Sequence, residues 1–213
     1  MVTRVNLGRY PEYMKWIASK PIKKGVVLLY GSSLFTKWGY DRANEMLSVP
    51  GKYEVINHGF GGSVADDLVY NYNFLVKPYE PKAVLIRTAV NDAYYGYSME
   101  ESFFLTKLLC SWIKNDFPEC KIAIMEVPEC PAEDLIRFRA DFKRYDSLIK
   151  EWTADKDDIS TINISHLMYN DEKDVGTYEN FRDIFVPDGL HYTDEGYDLL
   201  APFFKNKIEE MMK

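Results

Sequence analysis

The sequence predicts an α/β fold, a single-domain three-layer sandwich in which about five parallel strands form one sheet with helices on both faces. Two observations lead to this fold class. Short apolar runs rich in Val and Ile recur along the chain without polar alternation, as expected for strands that are covered on both faces. Amphipathic segments with helical spacing separate these runs, and such alternation is typical of a parallel sheet. No linker or internal repeat divides the 213 residues, so we expect one domain over residues 1–213.

The strands and the first helices follow from local patterns. A helix at about residues 8–20 is expected to pack on the domain. Five apolar runs are predicted strands: VVLLY at 26–30, YEVIN at 53–57, AVLIRT at 83–88, KIAIME at 121–126 and ISTIN at 159–163. Ser98 and Glu101 have the spacing of a capping box, which starts a helix. Its apolar stripe is predicted to consist of Phe104, Leu105, Leu108, Leu109 and Trp112.

Two further helices are predicted in the second half of the chain. Pro131 opens a helix whose apolar positions are Leu135, Phe138, Phe142, Tyr145, Leu148, Ile149 and Trp152. The last helix starts after Thr193 as N-cap and buries Tyr197, Leu200, Phe204 and Ile208. Pro202 inside this helix predicts a kink or an early break. The charged segment 170–183 reads as a surface loop.

The composition excludes several classes of partner. The formal net charge is −7, from 26 basic and 33 acidic residues, which argues against nucleic acid or an anionic membrane surface. No signal peptide or membrane span is visible in this sequence, which favours a cytoplasmic protein unless a signal peptide has been removed. Cys110, Cys120 and Cys130 form no CxxC pair, which favours reduced thiols over a disulfide frame or a zinc site. We expect no metal and no cofactor.

Candidate functional residues follow the predicted strands at one edge of the sheet. Ligands of such sheets bind at the carboxyl ends of the strands. The segments found there are GSSLF at 31–35, NHGFGGS at 57–63, AVND at 89–92 and, before the last helix, DGLHYT at 188–193. Topology therefore brings a serine, a glycine-rich turn, an asparagine and an Asp/His pair together.

Each segment alone has an ordinary structural explanation. Ser33 can cap a helix, Asn91 can make a turn, and His191 can be a hydrogen-bonded structural histidine. The glycine-rich turn is not a dinucleotide fingerprint, because Val64 stands where the third glycine belongs. No GxxxxGK[ST] motif occurs, which removes phosphate-loop chemistry.

Taken together, the segments describe nucleophilic catalysis. Ser33 needs a base to remove its proton, and His191 is the best placed of the three histidines, the others being His58 and His166. Asp188, three residues before His191, is positioned to bind the imidazole Nδ1 and fix its tautomer. The backbone N–H groups of Ser33 and Gly62 and the side-chain amide of Asn91 are candidate oxyanion donors.

These four segments, in this order, resemble the SGNH hydrolases, also called GDSL-type esterases. The likeness runs from Val26 to about Phe204 and implies a flavodoxin-like sandwich and ester hydrolysis through an acyl-enzyme on Ser33. Two positions depart from the family pattern. Ser32 replaces the Asp of the family name, which leaves the nucleophile intact. Ala89 replaces the usual glycine of the third segment, and we expect its Cβ to narrow the pocket or to shift the loop that carries Asn91.

Aromatic residues near these segments are substrate-pocket candidates, with ordinary packing as an equally weighted explanation. They are Phe60, Trp38, Tyr94, Tyr95 and Tyr97. The favoured substrate is a small-molecule ester with a short acyl chain, with O-acetyl groups on carbohydrate preferred. Three alternatives stay open: a lysophospholipase or thioesterase with the same site, a non-catalytic carbohydrate-binding relative, and an acyltransferase. The oligomeric state is left open.

Overall fold

The fold is a five-stranded parallel sheet between two layers of helices. The computed structural model describes residues 10–213. The strands are β1 Val27–Gly31, β2 Val55–Gly59, β3 Ala83–Arg87, β4 Lys121–Met125 and β5 Ile159–Ile162, and each coincides with a predicted run to within two residues. All neighbours pair in parallel, in the order β2-β1-β3-β4-β5. The predicted three-layer α/β sandwich is confirmed.

The helices divide between the two faces of the sheet. They are α1 Pro11–Ala18, α2 Ser33–Trp38, α3 Tyr40–Leu47, α4 Ala65–Leu75, α5 Val90–Tyr94, α6 Met99–Asp116, α7 Arg139–Thr153 and α8 Asp194–Met211. Helices α1, α4, α6 and α7 bury apolar side chains in one core with Leu28 and Tyr30 of the sheet. Helices α2, α3 and α8 form the other core with Val27 and Leu29. Alternate residues of β1 therefore face opposite layers, as the pleat requires.

Helix α6 begins as predicted but faces the sheet differently. Ser98 Oγ accepts from the Glu101 backbone N–H at 3.2 Å, and Glu101 accepts from the Ser98 N–H at 2.8 Å. Of the predicted stripe, Leu109 is buried and Leu105 and Leu108 are half-buried. Phe104 is 61% exposed and Trp112 is also partly exposed, whereas Thr106 is fully buried. The physical reason is a buried hydroxyl cluster. The Thr106 hydroxyl lies 3.1 Å from the Tyr145 hydroxyl, which lies 2.7 Å from the Thr88 hydroxyl, so Thr106 of α6 turns inward and is hydrogen-bonded there.

Helix α8 begins as predicted at Thr193, whose hydroxyl accepts from the Gly196 N–H at 3.2 Å. It continues through Pro202 to Met211, so the early break does not occur. Leu200, Phe204 and Ile208, on both sides of that proline, are fully buried, and this packing outweighs the lost hydrogen bond.

Two contacts fasten α8 to the beginning of the chain. The Tyr197 hydroxyl donates to the Leu34 carbonyl of α2 at 2.8 Å, across 163 positions of sequence. Arg42 of α3 forms ion pairs with Asp194 and Asp198 in the first turns of α8. The start of α8 is therefore held against the two helices that follow β1.

The remaining expectations about the fold concern the ends and the surface. The helix predicted near the N-terminus is α1; residues 8 and 9 of the predicted range lie outside the described residues. Segment 170–183 is a mostly exposed surface loop with one short 3-10 turn at Glu172–Asp174, as predicted. Within residues 10–213, none of the helices is both long and apolar enough to cross a membrane.

Candidate active site

Ser33 follows β1, the strand at which the order of the sheet switches from one side to the other. β1 pairs with β2 on one side and with β3 on the other, which creates a crevice beyond their carboxyl ends. Ser33 is the first residue of α2, directly after β1, and Asn91 lies in α5, directly after β3. The predicted nucleophile thus occupies the place where doubly wound sheets bind their ligands.

Asp188 and His191 form a hydrogen-bonded pair. Asp188 Oδ2 lies 2.6 Å from His191 Nδ1, and Asp188 Oδ1 accepts from the backbone N–H groups of Leu190 and His191 at 2.8 and 2.9 Å. Partial burial raises the pKa of Asp188, but the hydrogen bonds from the His191 ring and these N–H groups outweigh it and bring the pKa below its ordinary value. The carboxylate therefore stays ionised and fixes the imidazole with its proton on Nδ1.

The other ring nitrogen of His191 is free to act as a base. Nε2 is buried and has no hydrogen-bond partner within residues 10–213, so no bond joins it to Ser33. Such bonds often tighten only when substrate binds. A small cavity of about 20 Å³ brings the two residues together. We call it the Ser33 cavity; it is lined by Ser32, Ser33, Leu34, Arg87, Val90, Pro128, Cys130, Leu190, His191 and Tyr192.

The glycine-rich turn after β2 lies against Ser33. The Phe60 N–H donates to the Gly31 carbonyl at 2.9 Å, which fastens this turn to the end of β1. A side chain added at Gly61 would come within 3.8 Å of the Ser33 Cβ. Gly62 has φ +81°, a left-handed conformation that favours glycine. The backbone of this turn can therefore approach Ser33 closely.

Asn91 and Asp92 hold that turn in place. Asn91 Nδ2 donates to the Ser63 carbonyl at 3.0 Å, which uses one of its two amide protons. Asp92 accepts from the Ala65 N–H and the Ala89 N–H, both at 3.0 Å. Burial raises the pKa of Asp92 to about 6, although these N–H groups oppose the shift. Asn91 is thus bonded to the residue that follows Gly62, and neither Asn91 nor Gly62 lines the Ser33 cavity.

Ala89 causes strain in the backbone and leaves the cavity open. It has φ +78° and ψ −44°, and the Val90 N–H bonds the Thr88 carbonyl at 3.1 Å, which makes a tight three-residue γ-turn. A non-glycine residue is rare in this conformation, which explains the glycine of the family pattern. The Ala89 side chain is fully buried in the core and does not line the Ser33 cavity, so the expected narrowing is not found.

Arg87 is a residue of this region that the sequence analysis missed. Its side chain lines the Ser33 cavity and is only 4% exposed. It donates to the Thr88 carbonyl at 2.5 Å, while its Nε is buried without a partner in the described part of the chain. Burial lowers the pKa of this guanidinium. One signal in the sequence points to it, because a charged residue at the end of a buried apolar strand needs a reason to be there.

The aromatic pocket candidates are placed elsewhere. Phe60 and Trp38 are 1% exposed and pack in the two cores, Phe60 against Tyr30 and Trp38 against Phe204. Tyr94 and Tyr95 are half exposed on the surface, and Tyr97 is buried. None of these five lines the Ser33 cavity. Apolar burial therefore assigns Phe60 and Trp38 to ordinary packing.

The other two histidines are separate from this group. His58 is fully buried in β2, its Nδ1 lies 2.7 Å from the Leu75 carbonyl, and burial lowers its pKa to about 4. His166 is exposed and packs beside Phe203. Among residues 10–213, no group of three or more His, Cys, Asp or Glu side chains is arranged to hold a metal ion. His191 is thus the histidine that shares a cavity with Ser33.

This sheet order, with Ser33 and the Asp188/His191 pair at one edge, is the arrangement expected of a flavodoxin-like hydrolase. The model of the GDSL-like Lipase/Acylhydrolase family matches residues 28–199. The chain therefore belongs to this family, and the resemblance to the SGNH hydrolases is confirmed.

Solved structures and a curated protein provide more distant likenesses. The chain is 21% identical to a GDSL-like lipase from Bacteroides thetaiotaomicron VPI-5482, with a TM-score of 0.73 over 95% of this chain and 98% of that one. It is 20% identical to a lipase/acylhydrolase from Enterococcus faecalis (TM-score 0.70, 89% and 97% covered) and 20% identical to an acetyl xylan esterase (0.68, 86% and 100%). At these identities the likeness shows the fold alone.

The curated protein is longer than this chain. It is an N-acylneuraminate cytidylyltransferase from Escherichia coli O18:K1:H7, 24% identical over 197 residues. The match covers 88% of this chain but only 40% of that protein. The chain thus spans about two fifths of the length of this relative.

Proposed function

We propose that the chain is a serine-dependent carboxylic ester hydrolase that removes short acyl groups, above all acetyl, from carbohydrate. One observation carries the proposal. His191 has a buried Nε2 without a hydrogen-bond partner among residues 10–213, holds its Nδ1 against Asp188, and lines the same small cavity as Ser33. Membership of the family supports acyl ester hydrolysis as the reaction class. The acetyl xylan esterase of the same fold supports the carbohydrate substrate, as a property of that protein.

The proposed reaction begins with attack on the ester carbonyl. His191 Nε2 takes the Ser33 hydroxyl proton while Ser33 Oγ bonds the carbonyl carbon, and the carbonyl oxygen becomes an oxyanion. The imidazolium that forms is stabilised by the ionised Asp188. The N–H groups of Ser33 and Gly62 and the second amide proton of Asn91 are the proposed oxyanion donors.

The two products then leave in turn. The ester bond breaks, the alcohol departs with the proton that His191 held, and the acyl group stays on Ser33. Water attacks this acyl-enzyme, His191 takes a proton from that water, and the carboxylic acid is released as Ser33 regains its proton.

The size of the Ser33 cavity supports a short acyl group. Its volume of about 20 Å³ is comparable with the space one water molecule requires. An acetyl methyl can enter such a space after a small adjustment, whereas a long acyl chain would need a groove that leads away from Ser33. Rates with a series of p-nitrophenyl esters test this point. A steep preference for long chains would replace the proposal with the lysophospholipase or thioesterase alternative.

A covalent probe tests the nucleophile without a guess about the substrate. A fluorophosphonate should label the protein stoichiometrically on Ser33, as located by peptide mass mapping, and the His191→Ala variant should not be labelled. The matched control His166→Ala changes an exposed histidine outside the site and should label like the wild type. Folded protein that resists labelling would favour the non-catalytic carbohydrate-binding alternative.

A further inference from the structure

A second, larger cavity adjoins the Ser33 cavity at the carboxyl end of β4. We call it the α7 cavity; Glu126, Pro128, Cys130, Arg139, Asp146 and Tyr178 are among its lining residues. Its volume is about 350 Å³, within the range of small-molecule sites. Pro128 and Cys130 line both cavities, so the two spaces share a wall. The two cavities are therefore direct neighbours.

Three acidic side chains, Glu126, Glu129 and Asp146, line the α7 cavity. Glu129 accepts hydrogen bonds from the Tyr169 hydroxyl and the Gly176 N–H. Glu126 is only 3% exposed and pairs with Lys150 Nζ at 2.7 Å. Asp146 Oδ1 accepts from the Val127 N–H at 2.9 Å. Its second oxygen makes no hydrogen bond to any residue in the described range 10–213. Burial raises the pKa of Asp146 to about 7, so near neutrality this group is present both as carboxylate and as carboxylic acid.

Donor groups stand at the mouth of the same cavity. The Arg139 guanidinium lies 3.4 Å from the centre of the Tyr178 ring, and neither Arg139 nor Lys143 forms an ion pair with the described residues. Donors at the mouth thus face acceptors inside. This is an arrangement suited to a ligand that carries several groups able both to donate and to accept.

The charges of the lining decide between ligand classes. A fatty acyl chain would remove water from Asp146 and Lys143 and return no hydrogen bond, which disfavours it. An anionic ligand could pair with Arg139 or Lys143 but would be repelled by the carboxylates of the lining. A sugar matches the lining, because each hydroxyl can donate to a carboxylate and accept from a cation.

We infer that the α7 cavity binds the alcohol half of the ester, a carbohydrate, and that Asp146 accepts a hydrogen bond from one of its hydroxyl groups. The inference rests on the proposed esterase function for the role of the Ser33 cavity. The two cavities then divide the substrate at its ester oxygen. The acyl group lies with Ser33, and the sugar passes Pro128 and Cys130 into the larger space.

A variant that fills the cavity tests this inference. Ser147 lines the α7 cavity from an exposed position of α7, and its hydroxyl bonds only its own helix at Lys143, so Ser147→Trp should fold normally. The matched control Glu151→Trp places the same ring at an exposed position of that helix outside the cavity. Substrates are vinyl acetate, with an alcohol half too small to reach the cavity, and a panel of mono-O-acetylated methyl glycosides.

We expect Ser147→Trp to lower the ratio of kcat/KM for the best glycoside to kcat/KM for vinyl acetate at least tenfold, and Glu151→Trp to leave it unchanged. Asp146→Asn keeps the acceptor for Val127 and should lower the same ratio about tenfold. A ratio that is unchanged in Ser147→Trp, or a panel in which no glycoside exceeds vinyl acetate, overturns the inference while the esterase function stands.

Binding separates the two proposals when catalysis is absent. In the Ser33→Ala background, calorimetric titration with the deacetylated methyl glycosides should detect binding that Ser147→Trp weakens at least tenfold. If the wild type hydrolyses no acetate, including vinyl acetate, the esterase function fails, and this titration alone decides the sugar subsite. Equal affinity for the glycosides in Ser33→Ala and in the Ser33→Ala, Ser147→Trp double variant overturns the sugar subsite.

Discussion

Two aspartates hold the two halves of the candidate site, and their surroundings are opposite. The Asp188 side chain is 49% exposed; its partial burial raises the pKa, but hydrogen bonds from His191 and two N–H groups outweigh this and lower it. Asp92 is fully buried between the Ala65 and Ala89 N–H groups, and burial raises its pKa to about 6. The base half of the proposed site, Asp188 and His191, is thus one short, solvated segment. The oxyanion half, which contains Asn91 and Gly62, depends on buried contacts between distant segments.

The largest expected effect is on the base half. Asp188→Asn places an amide N–H against His191 Nδ1 and forces the proton to Nε2, where it cannot accept from Ser33. We expect kcat to fall about 10⁴-fold, as in serine hydrolases with this arrangement, with only a modest fall in melting temperature at neutral pH because Asp188 is half exposed. Kinetics with p-nitrophenyl acetate measure the effect. The control is Asp183→Asn, at an exposed neighbouring position, which should leave kcat unchanged. If the kcat of Asp188→Asn stays within tenfold of the wild-type value, Asp188 does not belong to the site.

A smaller effect is expected on the oxyanion half. Asn91→Ala removes the proposed amide donor and should lower kcat about 10²–10³-fold with KM nearly constant. It also removes the bond to the Ser63 carbonyl, which costs about 1 kcal/mol of folding stability. Asn71→Ala is the control, because its buried amide also donates to a backbone carbonyl, that of Asp67. Equal losses in binding and catalysis would give Asn91 a purely structural role.

The pKa values of Asp92 and Asp188 are shifted in opposite directions, so their contributions to the unfolding free energy should depend on pH in opposite ways. Asp92 binds its proton more tightly in the folded than in the unfolded chain, so its contribution to stability is present below about pH 4 and is lost as pH rises through about 6. From pH 4 to pH 7 the unfolding free energy of Asp92→Asn should therefore rise relative to that of the wild type by about 2 kcal/mol.

Denaturant titrations at the two pH values measure this difference. Asp188 has the reverse sign: its lowered pKa stabilises the fold above the ordinary carboxyl value, and this contribution is lost as the pH falls through the folded value. Asp188→Asn is therefore the internal control, since its unfolding free energy should fall below that of the wild type only at pH values above the ordinary carboxyl pKa. Parallel pH curves for wild type and Asp92→Asn would contradict the burial of an ionisable Asp92.

The smallest effect concerns the strained turn. Ala89→Gly relieves the strain of a positive φ, which costs the folded state about 1–3 kcal/mol. It also removes a buried methyl group and increases the entropy of the unfolded chain, and each of these destabilises the fold by about 1 kcal/mol. We expect its unfolding free energy to stay within about 1 kcal/mol of the wild type. Ala93→Gly, a buried alanine in ordinary helical conformation, should lose about 1–2 kcal/mol more. Equal losses in the two variants would mean that the turn at Ala89 is not strained.

The same contrast explains how much of the site could be predicted from the sequence. Asp188 and His191 are three residues apart, and a local turn is enough to join them. Strand ends and sheet order then bring Ser33 to the same edge. The bond from Asn91 to Ser63 joins segments 28 positions apart, so sequence indicates that they share an edge but not which groups meet.

Side-chain direction is what the sequence could not provide. Phe60 and Trp38 are close in sequence to the candidate segments, yet their rings turn into the cores. Phe104 fits an apolar stripe, yet the bonded hydroxyl of Thr106 takes the buried face. Arg87 ends a strand that reads as wholly buried, and only its packing places it at the Ser33 cavity. In each case tertiary contacts outweigh local pattern.

The docking of α8 has a consequence for the order in which this protein matures. Tyr197 bonds the carbonyl of Leu34, beside Ser33, and the last turn before α8 carries His191. Synthesis thus delivers Ser33 well before His191, with 163 positions between the two partners of that bond. The proposed site is incomplete until α8 emerges and closes against α2, so a ribosome-bound chain that ends before α8 should remain unreactive toward a fluorophosphonate.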